Sequence, residues 1–145
     1  MREIIFRGKR LDNGEWVEGY FVNLWMINYQ KHQPIITDNN AVSYDVDPST
    51  VSQYTGLKDK NGKRIFEGNI LHIAKIADAL GGYYRPPLDY QVNVVVKWDL
   101  CAWMWETLCD DKRYITFPDA WCLYECEIIG NVHDNPELIK EEAQP

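Results

Sequence analysis

The stretch Val51–Leu71 reads VSQYTGLKDKNGKRIFEGNIL, and the rest of the chain is organised around it. A short polar and aromatic run leads into the lysine-flanked segment Lys58–Lys63, and an apolar run follows. Asn61-Gly62 between two such runs is the strongest short-range signal of a β-hairpin. A type I′ turn needs positive φ at both central residues, which asparagine tolerates and glycine adopts without steric cost. We therefore predict that the chain reverses at this point.

Similar turn and strand patterns occur on both sides of this hairpin in the sequence. Asp12-Asn13-Gly14 separates two strand-like runs, so residues 1–22 predict an opening β-hairpin. Several further runs have the composition of strands, and in Val42–Val46, Val92–Trp98 and Trp121–Ile129 residues alternate with the period of a strand. These runs are Pro34–Thr37, Val42–Val46, Gly68–Ile76, Val92–Trp98, Tyr114–Phe117 and Trp121–Ile129.

The C-terminal segment carries a helix signal. Asn135 is a suitable N-cap, Pro136 suits the first helical position, and Glu137 is favoured in the first turn. We therefore predict a mostly β protein with a short C-terminal helix. Its N-terminal half forms a small antiparallel sheet or barrel, and an SH3-like β element spans about Gly68 to Val132. Residues 1–145 form one domain, with two β subdomains of about 1–67 and 68–140 as a possible division.

Amino-acid composition and net charge limit the kinds of function that this protein can have. A hydrophobic fraction of 46% with six tryptophans and nine tyrosines is typical of a packed globular protein. The net charge of −7 repels phosphate backbones and anionic lipids, so general nucleic-acid binding is disfavoured. Neither a signal peptide nor an apolar run of membrane-spanning length is recognisable, and we expect a cytoplasmic protein with free thiols.

The basic hairpin, residues 58–64, departs from the acidic average. It contains Lys58, Lys60, Lys63 and Arg64. One interpretation is a solvated turn whose charges keep a strand edge from pairing. The other is a small basic projection that contacts an acidic partner. The loop Gly81–Arg85, with Tyr83, Tyr84 and Arg85, is a second candidate contact, although its tyrosines also suit folding back over the core.

No combination of residues in the sequence leads us to predict a catalytic or metal-binding site. Cys122 and Cys126 have a loose zinc-ligand spacing but lie in an apparent strand, where buried free thiols are expected. No nucleophile or phosphate-loop motif is present, and we expect His72 to be a buried, satisfied histidine. Trp98, Trp103 and Trp105 are expected to fill the core. We predict no catalytic residue, no metal site and no cofactor.

A carboxylate-rich second half leaves one enzymatic alternative open. Paired acids can hold Mg²⁺ or act as acid and base if they share a partly desolvated cleft. A small metal-dependent hydrolase or nuclease is therefore the alternative function. The acids are Asp99, Glu106, Asp110, Asp111 and Asp119.

Three segments carry a family resemblance. They are MREIIFRGK at Met1–Lys9, QYTGLKDKNGKRIFEGNI at Gln53–Ile70 and EIIGNVHDNPELI at Glu127–Ile139. In this order they resemble the YopX family of small phage and prophage proteins. The resemblance implies a β-rich domain of phage origin and carries over no catalytic residue. We favour a non-enzymatic phage accessory protein that binds a host or phage protein, or a second copy of itself, through the two candidate contacts.

Overall fold

The computed structural model describes residues 3–23, 33–75, 91–99, 102–107, 114–116 and 124–140. Within these residues the chain forms eleven strands and one short helix, which confirms the predicted mostly β class. No helix in that part of the chain is long and apolar enough to cross a membrane. The elements are β1 Phe6–Lys9, β2 Trp16–Asn23, β3 Pro34–Thr37, β4 Ser43–Asp45, β5 Ser52–Lys58, β6 Arg64–Phe66, β7 Asn69–Lys75, β8 Gln91–Asp99, β9 Ala102–Thr107, β10 Tyr114–Thr116, β11 Tyr124–Asn131 and α1 Glu137–Lys140.

The strands form two antiparallel sheets. The first has the order β4-β3-β2-β1-β5-β6 and the second has the order β10-β9-β8-β7-β11. The predicted small antiparallel sheet is therefore confirmed, but neither sheet closes into a barrel within the described residues. The SH3-like element predicted from Gly68 to Val132 is not confirmed, because β10 and β11 lie at opposite edges of an open sheet.

The chain divides into two compact units, Met1–Gly56 and Leu57–Pro145. In the first unit Ile36 and Val46 are fully buried. A Cβ at Gly8 would lie 3.1 Å from Val46, so the glycine lets β1 approach this core closely. Arg10 and Val46 form an isolated antiparallel bridge beyond the ends of β1 and β4.

The second unit is built on the five-stranded sheet. Its core cluster consists of Ile65, Leu71, Ile73, Val94, Val96, Trp103 and Cys126. Val94 and Val96 confirm the predicted dry face of β8. Val95, on the opposite face, is also only 4% exposed, so the prediction of one dry side was wrong. A strand buried on both faces reads as a nearly continuous apolar run, as VNVVV does.

Two hairpin turns share one hydrogen-bond pattern, at Asp38–Val42 and Asp59–Lys63. In each, the aspartate N–H donates to the fifth residue's carbonyl, at 2.9 and 2.8 Å. The fourth residue's N–H donates to the aspartate carbonyl, at 3.0 and 2.9 Å. That fourth residue alone has positive φ, with Ala41 at 62° and Gly62 at 78°. Asn61 does not, so the chain reverses where predicted but the type I′ geometry was wrong.

The segment after β11 corrects the predicted helix cap. Asn135 Oδ1 accepts from the Asn131 backbone N–H at 3.3 Å, so this side chain closes the end of the strand. A Cβ at Gly130 would lie 2.5 Å from the same oxygen, which explains why glycine is needed there. The helix α1 does follow, but Asn135 is not its side-chain N-cap, because its oxygen bonds backwards along the chain.

Ala41 provides the first prediction. Its methyl group at positive φ costs about 1–2 kcal/mol, while glycine adds unfolded-state freedom worth about 0.4–1 kcal/mol. Ala41→Gly should therefore raise the free energy of unfolding by about 0.5–1 kcal/mol, measured by urea denaturation. Ala74→Gly, within β7, is the matched control and should lower it by about the same amount. A loss of stability in Ala41→Gly would contradict the strain assigned to this turn.

Candidate functional site

The carboxylate of Asp59 holds the basic hairpin in shape. Its Oδ1 accepts from the backbone N–H groups of Asn61 and Lys63, both at 2.9 Å. Its Oδ2 accepts from the N–H of Ile128, in β11, at 3.1 Å. Asp59 is only 6% exposed. One buried carboxylate thus joins both ends of the turn to a strand 69 residues further along the chain.

Burial and hydrogen bonding oppose each other at Asp59. Burial favours the neutral acid, whereas the N–H groups of Ile128, Lys63 and Asn61 stabilise the carboxylate. The hydrogen bonds prevail together with the charge of Lys63, and the pKa of Asp59 is lowered from its ordinary value. Asp59 is therefore ionised at neutral pH and serves as an acceptor, which makes it a structural group.

Lys60 adds a second set of contacts to β11. Its backbone N–H donates to the Cys126 carbonyl at 2.9 Å, and its Nζ lies 2.6 Å from Glu127 Oε2. Asn61 Nδ2 donates to Glu127 Oε1 at 3.4 Å. The hydrogen-bonded ion pair raises the pKa of Lys60 and lowers the pKa of Glu127. Of the four predicted cations, Lys60 is therefore already engaged within the chain.

The remaining cations of the hairpin differ in exposure. Lys58 and Lys63 are exposed, and neither forms a salt bridge to another described residue. Arg64 is half-buried. The structure therefore presents two lysines on a turn whose backbone is held by Asp59. The second predicted contact, Tyr83, Tyr84 and Arg85, lies outside the described residues.

The cysteine tested as a zinc ligand lies in the core. Cys126 is 3% exposed, and burial raises the pKa of its thiol to about 12, with the charge of Asp59 acting in the same direction. A thiol protonated at neutral pH is neither a nucleophile nor a ready metal ligand. Cys122 lies outside the described residues. Within them, no group of three or more His, Cys, Asp or Glu side chains is placed to hold a metal.

The carboxylates behind the enzymatic alternative are only partly described. Glu106 is buried in β9, at 6% exposure, and forms an ion pair with Lys97 of the adjacent strand. Its charge is thus balanced within the sheet. Asp110, Asp111, Asp119 and the side chain of Asp99 lie outside what the structure describes.

His72, Trp98 and Trp103 are the remaining described residues for which an expectation came from the sequence. His72 is half-buried, and its Nδ1 lies 2.9 Å from Asn93 Oδ1, so it is a satisfied histidine as expected. Trp103 is 7% exposed and belongs to the core. Trp98 packs edge-on against it at 4.9 Å between ring centroids, but is 51% exposed. The expectation that Trp98 fills the core was wrong, because it lies at the end of β8.

The sequence interpretation missed Glu127 as the partner of Lys60 and Ile128 as the partner of Asp59. Both residues lie in β11, and no local spacing relates them to the turn. The available signal was that KDKNGK and EII, residues 127–129, are each part of a segment that resembles the same family. Their contact is a property of the folded sheet.

Comparisons with known proteins agree with this architecture. The family model described as YopX protein matches residues 5–140. The crystal structure of protein EF1440 from Enterococcus faecalis is similar, with a TM-score of 0.51 and 22% sequence identity. That match covers 96% of this chain and 99% of the other, and at this identity it shows the fold alone. No curated protein matches the chain.

The contribution of the Asp59–Ile128 hydrogen bond to stability can be measured by comparison with the turn at Asp38, which has the same backbone hydrogen-bond pattern. Asp38 Oδ1 accepts from the corresponding two backbone N–H groups, of Asn40 and Val42, while its Oδ2 accepts from the Tyr44 hydroxyl at 3.4 Å and not from a strand N–H. A hydrogen bond to a charged group contributes about 1.5–3 kcal/mol. Asp59→Ala should therefore lower the free energy of unfolding more than Asp38→Ala does, by about that amount. Equal losses in urea denaturation would contradict the assigned bond.

Acid should remove the contribution of Asp59. Because its folded pKa is below the unfolded value, its stabilisation is present above the unfolded pKa and is lost as pH falls through the folded pKa. Asp59→Asn keeps an Oδ1 acceptor but presents an amide N–H₂ to Ile128. The difference in unfolding free energy between wild type and Asp59→Asn should be constant above about pH 5 and should shrink below about pH 4. A difference that grows on acidification would reverse the assigned pKa direction.

Proposed function

This chain belongs to the YopX protein family, and from that premise we propose that it is a phage-derived accessory protein that acts by binding another protein. The partner is a host or phage protein in the cytoplasm of a bacterial host. The basic hairpin is the proposed contact, with Tyr83, Tyr84 and Arg85 as a second contact. A second copy of the chain stays an alternative partner.

One observation supports this proposal above the others. Lys58 and Lys63 are exposed on a turn whose conformation is held by a buried carboxylate. A contact that is already ordered loses less conformational entropy when a partner binds. The clamp by Asp59 thus favours a recognition role over that of a freely moving, solvated loop.

The charge balance favours an acidic protein surface as the partner. The molecule as a whole carries −7, so a long polyanion is repelled by the overall field. A compact acidic patch needs to approach only the two lysines, and charges beyond about 8 Å are largely screened at physiological ionic strength. Lys60 contributes less, because Glu127 already neutralises it.

The test compares two double variants of equal net charge. Lys58→Gln/Lys63→Gln removes the two free cations, whereas Asn39→Asp/Asn40→Asp adds two charges at the exposed turn before β4. Both change the net charge from −7 to −9. Tagged proteins are expressed in the bacterial host and their co-purified proteins are measured by quantitative mass spectrometry.

Wild type and the asparagine variant should retain at least one common partner, and the lysine variant should retain about tenfold less of it. That loss corresponds to about 0.7 kcal/mol from each removed charge contact. Adding salt should release the partner from wild type. Equal retention by both double variants, or no specific partner for wild type, would refute the proposal.

A further inference from the structure

Strand β11 is an edge strand whose outer side is not open. It pairs with β7 along one side, with Cys126 opposite Ile73 and Ile128 opposite Leu71. On the other side, the Cys126 carbonyl accepts from Lys60 N–H and the Ile128 N–H donates to Asp59. These are the two groups that a neighbouring strand would use. Residues 59–60 therefore occupy the place of a missing strand.

Side chains of the turn also contact β11, as the side chains of a neighbouring strand would. Glu127 stands between the two backbone contacts in sequence, and its carboxylate receives both Lys60 Nζ and Asn61 Nδ2. Opposite charges on adjacent strands stabilise a strand pair, and like charges oppose it. The turn thus supplies backbone partners and a complementary cation, which are the two features that an edge recognises in an added strand.

We propose that the outer edge of β11, residues 124–128, is a docking edge for an extended segment of a partner protein with basic side chains at alternate positions. Residues 59–61 hold this edge closed until such a segment displaces them. The proposal concerns a different surface from Lys58 and Lys63, so it goes beyond the proposed function and can fail separately from it.

The acidic side chains of β11 indicate which kind of segment can dock at its outer edge. Glu125 is exposed, and together with Glu127 it places two acids at alternate positions of β11. Pairing of β11 with the same strand of a second copy would bring acids against acids, which disfavours a homodimer through this edge. A segment with lysine or arginine at alternate positions would replace Lys60 at Glu127 and add a partner for Glu125.

The closed state lowers the apparent affinity for an external strand. When only a fraction of molecules has the edge open, the apparent association constant is the intrinsic one multiplied by that fraction. Changes that weaken the turn's hold on β11 should therefore tighten binding. Lys60→Pro is the sharpest such change, because it removes the N–H that bonds Cys126 and the cation that bonds Glu127. Proline also suits the second position of the turn closed by Gly62 N–H.

The probe is a fluorescein-labelled nonapeptide of alternating lysine and valine, and binding is measured by fluorescence anisotropy. Lys60→Pro and Asp59→Ala should bind it about tenfold more tightly than wild type. Asp38→Ala, which weakens the corresponding turn without touching β11, should bind like wild type. Adding Glu125→Gln and Glu127→Gln to Lys60→Pro should abolish the gain. A glutamate-valine peptide, and a lysine-valine peptide interrupted by proline, should not bind.

A measurement on the unaltered protein guards against variants that fold poorly. With saturating peptide, amide hydrogen exchange at Lys60 should become faster in wild type, because the peptide takes its acceptor on Cys126. An unchanged Lys60 amide, equal peptide affinity in wild type and Lys60→Pro, or equal binding of the proline-interrupted peptide would each overturn the proposal. The last result would show that attraction is purely electrostatic.

Discussion

The second unit of this protein depends on the buried carboxylate of Asp59. It accepts two N–H groups inside its own turn and a third from Ile128. Burial of the carboxylate is unfavourable, and the three N–H groups and the charge of Lys63 oppose it. Together they lower its pKa and tie a local turn to a distant strand. The hairpin and β11 are therefore stabilised as one structure.

This coupling determines which parts of the hairpin are available for binding. Lys60 is drawn to Glu127 and its backbone to Cys126, so the most central lysine of the turn belongs to the fold. Lys58 and Lys63 are left at the surface of an ordered turn. The same contacts close the edge of β11, which would otherwise present unpaired backbone groups to any extended chain. Two exposed lysines and the protection of a strand edge thus come from one short segment.

The residues that suggested chemistry from sequence are mostly satisfied in the fold. Cys126 is buried with a strongly raised thiol pKa, Glu106 is paired with Lys97, and His72 is bonded to Asn93. Glu106 and His72 each have a partner within the sheet, and the Cys126 thiol belongs to the apolar core. Trp98 is different, because it is half exposed while it packs on the buried Trp103.

The sequence alone determined most of the strands and the positions of the turns, because alternation along a strand and an Asp-x-Asn-Gly turn depend on neighbouring residues; β9 was not among the predicted strands. It placed the reversal at Asn61-Gly62 but not the turn type, since the side chain of Asp59 competes for the backbone N–H groups. Only the tertiary structure decided that Asp59 reaches Ile128, and that Asn135 closes a strand instead of capping a helix. The Asp59 contact depends on which strands become neighbours, and sheet order is set by the packing of segments far apart in the chain. The Asn135 contact is local, but the side chain can bond forwards to a helix or backwards to a strand, and the folded chain selects the second.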